Sequence, residues 1–181
     1  NTGCNEIHFD PYMPNVMYAT FHQRRRHEWT YLGGGPESAL YKSDDNGLTW
    51  NKLTSGLPSG DLGRITLITA VKPGYLYCMV ETSGDRGGVF SSTDFGANWT
   101  KVNPIQTAGN YYQELVADPI NPSKFFIMDT YIKVTEDGGK TFRNLGEANK
   151  HVDNHALWID PKNTDHYLVG CDGGLYETFN A

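Results

Sequence analysis

A short turn motif, repeated at nearly constant spacing, constrains the fold of this chain more than any other feature. Each copy combines a Ser or Thr, an Asp two residues later, a Gly two residues after the Asp, and an aromatic residue three residues after the Gly. The first residues of successive copies lie 49, 43 and 43 positions apart, counting a further copy that begins at Thr178. That period is the length of one four-stranded propeller blade. The three complete copies consist of Ser43, Asp45, Gly47 and Trp50; Ser92, Asp94, Gly96 and Trp99; and Thr135, Asp137, Gly139 and Phe142.

The residue types of this motif are those of a closed hairpin turn. Glycine supplies the positive φ that other residues resist, and the hydroxyl and carboxylate can accept hydrogen bonds from nearby backbone N–H groups. A calcium-binding loop does not fit, because an EF-hand pattern with Gly47 as its glycine would need an acidic ligand where Lys42 stands. We therefore expect the Asp residues of the motif to hold their own hairpins closed, at blade edges and outside any ligand site.

A second repeated element runs in phase with the turns: an apolar strand that ends in Asp-Pro and leads into another apolar strand. Asp10, Asp118 and Asp160 each precede a Pro, and a weaker copy has Lys72 before Pro73. Because Pro cannot continue a central ladder, each element is predicted to be the first hairpin of a blade. The sequence thus predicts an all-β fold, a β-propeller with blades of four antiparallel strands. The predicted blades span about 3–53, 61–102, 109–145 and 152–181, the last without its outer strand.

The turn motif resembles the Asp-box, or bacterial neuraminidase repeat. The whole chain resembles the sortilin-like propellers of long exported bacterial proteins that are often labelled glycosyl hydrolases. The resemblance implies an exported protein, extracellular, periplasmic or on the cell surface, in which this chain supplies about four blades of a larger propeller. Remaining blades or another chain are expected to cover the terminal blades, because repeat units bury their faces only against neighbours. Besides the turns, the stretches that carry the resemblance are 23–26 with the following Gly-Gly-Gly-Pro, 56–58, 63–65, 151–161 and 171–174.

Composition argues against several classes of partner and site. The formal net charge is -6 and the basic tract at 24–26 stands alone, so nucleic acid is not an expected partner. The sequence contains no run of 18 apolar residues, so we expect no membrane-spanning segment. Cys4, Cys78 and Cys171 form no Cys-x-x-Cys pair that would suggest zinc, and the last two fall in apolar strands where buried thiols are expected. No sequence feature calls for a cofactor.

The first candidate site consists of His151, Asp153 and His155, which alternate along the predicted first strand of the fourth blade. A strand period of two places them on one face, toward the central channel. Two imidazoles and a carboxylate could bind zinc or a similar metal, or supply a proton-transfer pair. The alternative that we favour is a hydrogen-bonded polar cluster in which Asp153 orients one histidine. Asp172, in a nearby Gly-rich turn, is a possible fourth member.

Alignment of the Asp-Pro elements predicts further residues around the same end of the channel, which we call the mouth. Together they would form a pocket suited to a sugar or to the end of a peptide. A packed, wet channel without a ligand is the alternative. The residues predicted at the mouth are Asn5, Arg64, Tyr111, Tyr112 and Gln113.

The first predicted blade also contains a long insertion between Phe21 and Ala39, where an ordinary loop would hold two to five residues. Long loops on a rigid scaffold often bind ligands, but this one could equally be an extended hairpin that packs on a neighbouring blade. Its candidate binding residues are Arg24, Arg25, Arg26 and Trp29, with Tyr31 nearby.

Two functional hypotheses follow. The first is a non-catalytic propeller that binds a protein or a glycan, and the alternative is a glycoside hydrolase of the Asp-box type. Sialidase does not fit, because three of the six arginines are consecutive and the Arg-Ile-Pro motif is missing. For a hydrolase, Asp153 is a candidate catalytic acid, but Ala156 and Leu157 stand where a second acid would be expected. Two carboxylates about 5–10 Å apart in an open groove would favour the hydrolase.

Overall fold

The computed structural model describes residues 2–180, and these residues fold into four antiparallel sheets and one short hairpin. The first sheet has the strand order β1-β2-β5-β6, and the second has the order β7-β8-β9-β10. The strands of the first sheet are β1 (Thr2–Phe9), β2 (Met17–Gln23), β5 (Ala39–Ser43) and β6 (Asn51–Leu53), and the separate hairpin consists of β3 (Arg25–His27) and β4 (Thr30–Leu32). Those of the second are β7 (Ile65–Thr69), β8 (Leu76–Val80), β9 (Gly88–Ser92) and β10 (Thr100–Asn103).

The third sheet repeats this meander, and the fourth repeats its first three strands. Strands β11 to β14 pair in chain order, as do β15 to β17. Within residues 2–180 there is no helix, and therefore no helix that could span a membrane. The third sheet consists of β11 (Glu114–Ala117), β12 (Phe125–Met128), β13 (Lys133–Thr135) and β14 (Arg143–Asn144), and the fourth of β15 (Asn154–Asp160), β16 (Asn163–Cys171) and β17 (Gly174–Thr178).

The core lies between successive sheets, where apolar side chains from facing strands interdigitate. Tyr18 and Leu40 of the first sheet pack with Leu67 of the second, and all three are almost wholly buried. Equivalent clusters join the second sheet to the third and the third to the fourth. The first strands of neighbouring sheets also lie against each other, β1 with β7, β7 with β11, and β11 with β15. This arrangement brings the side chains of four first strands to one central groove.

The predicted hairpin contacts of the repeated motif are present in all three copies. The backbone N–H groups of Thr49, Asn98 and Thr141 donate to Asp45, Asp94 and Asp137 at 2.8, 2.9 and 3.0 Å. The glycines of the motif have φ values of 83°, 81° and 87°, a region that favours glycine. Hydrogen bonds from Thr49 lower the pKa of Asp45 to about 2, and those from Thr141 do the same for Asp137.

The two terminal sheets expose apolar side chains on their outer faces. In β1, Ile7 and Phe9 are 53% and 64% exposed, and at the other end of the chain Trp158, Leu175 and Phe179 are 48%, 73% and 63% exposed. Exposed apolar surface of this kind favours a covering partner. The expected exposure of the terminal flanks is therefore present, and the partner that covers them is a proposal.

The cysteines are unpaired, and their environments differ. Cys78 in β8 is fully buried, as expected for an apolar strand. Cys171 was also expected to be buried, but it is only half-buried because it ends β16 beside the exposed turn at 172–174. Cys4 is exposed in β1.

Candidate functional site

The first strands of the four sheets line an open central groove of about 450 Å³. Each strand contributes polar side chains, because the strand face that does not pack on a neighbouring sheet is directed to this axis. The groove is therefore lined by both polar and apolar side chains. Its principal polar residues are Asn5, Glu6, His8, Arg64, Thr66, Glu114 and His155.

Arg64 lies between two carboxylates in this groove. Its Nη2 atom is 3.8 Å from Glu6 Oε1 and 3.3 Å from Glu114 Oε1, so the two carboxylates lie within about 7 Å of each other. Its Nη1 atom donates to the backbone carbonyl of Tyr112 at 2.8 Å. One guanidinium group thus joins three neighbouring sheets and occupies the space between the two acids.

Glu6 is held by further contacts from the second sheet. Its carboxylate accepts hydrogen bonds from Thr66 Oγ1 at 2.9 Å and from the Leu67 backbone N–H at 3.0 Å. His8 Nε2 lies 3.3 Å from the same carboxylate. Glu6 is mostly enclosed, whereas Glu114 has nearly half of its side chain exposed, so Glu114 is the more accessible acid.

Sequence reasoning missed Glu6 and Glu114, although a signal for them exists. Both stand four residues before the Asp of their Asp-Pro element, and the same position holds Ala156 in the last sheet. The alignment that predicted the mouth used the position five residues before the Asp, so it selected the residue next to each glutamate. A shift of one position would have found the acid pair.

A second group of polar side chains, the mouth cluster, consists of Tyr112, Asp153, His155 and Asp172. The Tyr112 hydroxyl donates to Asp153 Oδ1, and this hydrogen bond is the main cause that raises the pKa of Tyr112. The Tyr112 ring stacks on the His155 ring, with centroids 5.6 Å apart and planes 10° apart. His155 Nε2 in turn lies 2.9 Å from Asp172 Oδ1. The cluster therefore presents rings and carboxylates side by side on an accessible surface.

The predicted arrangement of His151, Asp153 and His155 on one strand face is wrong. Strand β15 begins only at Asn154, and Asp153 has a φ of 64°, which interrupts the alternation of side chains. His151 lies before the strand with its Nδ1 atom 2.7 Å from the Val152 carbonyl, away from the other two. Asp153 bonds a tyrosine rather than a histidine, and His155 pairs with Asp172 instead. Among residues 2–180, no group of three or more His, Cys, Asp or Glu side chains is arranged to hold a metal ion.

The prediction for Gln113 is also wrong, because this residue lies inside the protein and not in the groove. It is fully buried with a φ of 84°, and its amide nitrogen donates to the backbone carbonyls of Arg64 and Met79 at 2.7 and 3.0 Å. Gln113 therefore joins the second and third sheets. Asn5 lines the groove beside Ile65, and Tyr111 is 59% exposed next to Tyr112.

The long insertion forms the β3–β4 hairpin and reaches toward the mouth cluster. Arg24 donates to Asn110 Oδ1 at 3.2 Å, next to Tyr111, and its guanidinium lies 5.7 Å from the Tyr31 ring centroid. Trp29, at the hairpin turn, is 80% exposed and stacks on His27. Arg25 and Arg26 are exposed along β3. The extended-hairpin alternative therefore describes the structure, and the hairpin adds exposed basic and aromatic side chains to this end of the molecule.

Comparison with known proteins gives structural neighbours without close sequence relatives. No family model and no curated protein matches the sequence. A GH74 enzyme from Niastella koreensis matches 97% of this chain with a TM-score of 0.67 and 20% identity, and a GH74 xyloglucanase from Xanthomonas campestris matches 98% with 0.65 and 20%. A structure of YCF48 bound to D1 peptide matches 93% with a TM-score of 0.57 and 14% identity.

These likenesses show the fold alone, since all identities are low. They confirm the predicted β-propeller architecture of four-stranded antiparallel sheets. The chain spans 28% of the length of each of these two GH74 enzymes and 47% of YCF48. Any proposal about the activity, substrate or partners of the whole protein therefore rests on the side chains described above.

Proposed function

We propose that this chain belongs to an exported, sortilin-like Asp-box propeller that acts as a non-catalytic scaffold and binds a protein or glycan ligand at the mouth cluster. The observation that supports the non-catalytic assignment most directly is the position of Arg64 between Glu6 and Glu114. A glycosidase acid pair needs the space between its carboxylates for the scissile bond and, in inverting enzymes, for a water molecule. In this groove a guanidinium group fills that space.

The mouth cluster has the chemistry of a binding surface. The stacked rings of Tyr112 and His155 and the exposed ring of Tyr111 offer flat apolar faces, while Asp153 and Asp172 offer hydrogen-bond acceptors. A specific site for a small ligand or for the end of a chain combines aromatic faces with a small number of polar groups. The neighbours supply one example of each ligand class, since one is a xyloglucanase and another is bound to a peptide.

The experiment measures binding and hydrolysis in the same samples. A xyloglucan oligosaccharide and a displayed peptide library serve as the two probes, with reducing-end release followed in the sugar samples. We expect saturable binding of one probe class without hydrolysis, and binding at least about fivefold weaker in Tyr112→Ala. Tyr12→Ala, which removes a 46% exposed ring from the first Asp-Pro turn, is the matched control and should bind normally. Absence of binding to both probes would exclude the proposal.

A glycoside hydrolase remains the second candidate, because Glu6 Oε1 and Glu114 Oε1 lie no more than about 7 Å apart, close enough for a pair of catalytic carboxylates. In that case a substrate would have to displace Arg64 from Glu114, the more exposed of the two acids. Release of new reducing ends that is abolished by Glu114→Gln, but retained in the remote Glu136→Gln, would establish this function. The same release in both variants would point to a contaminating enzyme.

A further inference from the structure

The β3–β4 hairpin leaves the side chains of both of its strands exposed, although several of them are large and apolar. Every residue from 24 to 32 is exposed to solvent. The Trp29 ring, 80% exposed, lies parallel to the His27 ring, with centroids 5.6 Å apart and planes 6° apart. Tyr31 and Leu32 follow in the returning strand and are each 44% exposed. Because a two-stranded hairpin is only marginally stable in water by itself, exposed rings on it favour a covering partner.

The base of the hairpin, in contrast, is fixed to the body of the protein. The backbones of Gly35 and Leu62 exchange two hydrogen bonds, at 2.9 and 3.2 Å, and the buried His22 has its Nε2 atom 3.0 Å from the Gly33 carbonyl oxygen. A Cβ atom on Gly34 would lie 2.6 Å from the Leu62 carbonyl oxygen, so this close approach requires glycine. The exposed residues are therefore presented on a preorganised support, which reduces the conformational entropy lost when a partner binds.

Positive charge is concentrated on the hairpin, whereas the rest of the chain is acidic. Residues 24–32 contain three of the six arginines and one glutamate, while the whole chain has a formal net charge of -6. The hairpin therefore contributes +2, and the remaining residues contribute -8. Arg26 stands opposite Tyr31 in the β3–β4 ladder, and it forms no ion pair with any residue in the range 2–180. Its guanidinium group is thus available to a carboxylate from outside the chain.

This distribution of charge favours a protein partner over a membrane or a nucleic acid. Attachment to an anionic lipid surface usually takes a cluster of about four to eight basic residues, more than the hairpin has. A membrane or a duplex would also repel the acidic remainder of the chain, because both are extended surfaces of negative charge. A protein segment can place a few carboxylates against the hairpin alone. Trp, Tyr and Arg, the residue types exposed here, are those that most often dominate the energy of protein interfaces.

We propose that the β3–β4 hairpin is a docking surface for an acidic segment of a partner protein. A carboxylate of the partner pairs with the Arg26 guanidinium, whose planar group can donate two parallel hydrogen bonds to it. An apolar side chain of the partner packs on the face of the Trp29 indole that is turned away from His27. This surface is separate from the mouth cluster and acts independently of any ligand bound there.

The test uses the complete chain and a displayed library of random peptides. Peptides that bind the Trp29→Ala variant are removed first, so that those then selected on the unchanged chain require the hairpin. We expect the selected peptides to be enriched in Asp and Glu. A selected peptide, synthesised with Asn and Gln in place of its Asp and Glu, should bind at least about tenfold more weakly in isothermal titration, because the charge complementarity is lost. This comparison does not depend on the folding of any protein variant.

Two protein variants and hydrogen exchange locate the site. Arg26→Gln should weaken binding of the acidic peptide at least about fivefold, while Arg143→Gln, which removes an equally charged and well-exposed side chain from the third sheet, should leave binding unchanged. Peptide binding should slow amide exchange across 25–32. Equal binding of the acidic and neutral peptides, equal effects of the two variants, or protection confined to other strands would overturn the proposal. So would a selection that yields no peptide, or one in which only phosphatidylglycerol vesicles bind in a Trp29-dependent manner.

Discussion

Arg64 donates a hydrogen bond to the backbone carbonyl of Tyr112 at 2.8 Å, and this contact ties the start of the second sheet to the segment that precedes the third. The same guanidinium pairs with Glu6 in the first sheet and with Glu114 in the third. Arg64 donates hydrogen bonds to Tyr112 and Glu114 and forms an ion pair with Glu6, so its role is structural as well as electrostatic. The groove is therefore organised around one side chain.

Replacement of Arg64 by Met should destabilise the protein by about 2–3 kcal/mol, because the poorly solvated Glu6 carboxylate loses its ion-pair partner and the Tyr112 carbonyl loses its hydrogen-bond donor. The measurement is the free energy of unfolding from urea titration. Arg143→Met is the matched control, since its pair with Glu136 is well exposed, and it should change stability by no more than about 0.5 kcal/mol. Equal losses in the two variants would contradict a special role for Arg64.

Removal of the turn carboxylate in Asp94→Ala should cost about 1–2 kcal/mol, by analogy with the loss of a helix-capping side chain. The physical reason is that the backbone N–H and the side-chain amide of Asn98 lose their acceptor. Urea unfolding gives the change, and ligand binding at the mouth should be unaffected. Asp85→Ala, in a nearby exposed loop, is the control and should be close to neutral.

Stability should fall as the pH drops from about 4 toward about 2, partly through the turn residues. The pKa values of Asp45 and Asp137 are lowered to about 2 in the folded state, against about 4 when unfolded. Their contribution to the free energy of unfolding is therefore present above pH 4 and is lost as these carboxylates take up protons. In the double variant Asp45→Asn and Asp137→Asn, the unfolding free energy should depend less steeply on pH in this interval. An unchanged slope would mean that other carboxylates dominate acid unfolding.

His166 should titrate above its ordinary value of about 6.5, as measured by NMR. Its pKa is raised chiefly by the hydrogen bond to Glu177, at 2.9 Å, and further by Asp160. The stabilisation of the folded state by protonated His166 is therefore complete below pH 6.5, and it is lost as the pH rises through the higher folded-state pKa. Glu177→Gln should lower the pKa of His166, whereas the remote Glu136→Gln should not. A pKa that is equal in all three proteins would count against this pair.

Thiol labelling should distinguish the cysteines. Burial raises the pKa of Cys78 well above its usual value, and the side chain is fully enclosed, so it should react only after unfolding. Cys4 is exposed and should react in the folded protein, although burial of part of its side chain raises its pKa as well and slows the reaction. Labelling with a chromogenic disulfide at pH 8, followed by mass spectrometry, tests this order. Labelling of Cys78 in folded protein at the rate of Cys4 would contradict it.

The repeated turns and the sheet order could be predicted from the sequence because their interactions are local. In each turn, the hydroxyl, the carboxylate and the glycine that receives positive φ lie within eight consecutive residues, so spacing alone encodes the contact. The Asp-Pro elements fix where first strands end for the same reason. These local features define the four-stranded antiparallel sheets without reference to the groove that the sheets surround.

The candidate site could be predicted only in part, because it depends on which residues of different sheets meet. Tyr112 and His155 were both expected near the mouth, but the hydrogen bond of the Asp153 backbone N–H to Thr130 and the positive φ of Asp153 changed the partners. Side chains alternate between the two faces only in a regular strand, and a single residue with positive φ interrupts this alternation. Gln113 was displaced into the interior by the same kind of backbone irregularity.

The sequence by itself determined the repeat, the hairpin turns and the all-β architecture, since each rests on contacts between residues close in the chain. Only the tertiary structure decided that Glu6, Arg64 and Glu114 share one groove, because they come from three sheets and are separated by about 50 residues or more. Long-range packing sets this arrangement, and no local pattern encodes the distance between side chains on separate sheets.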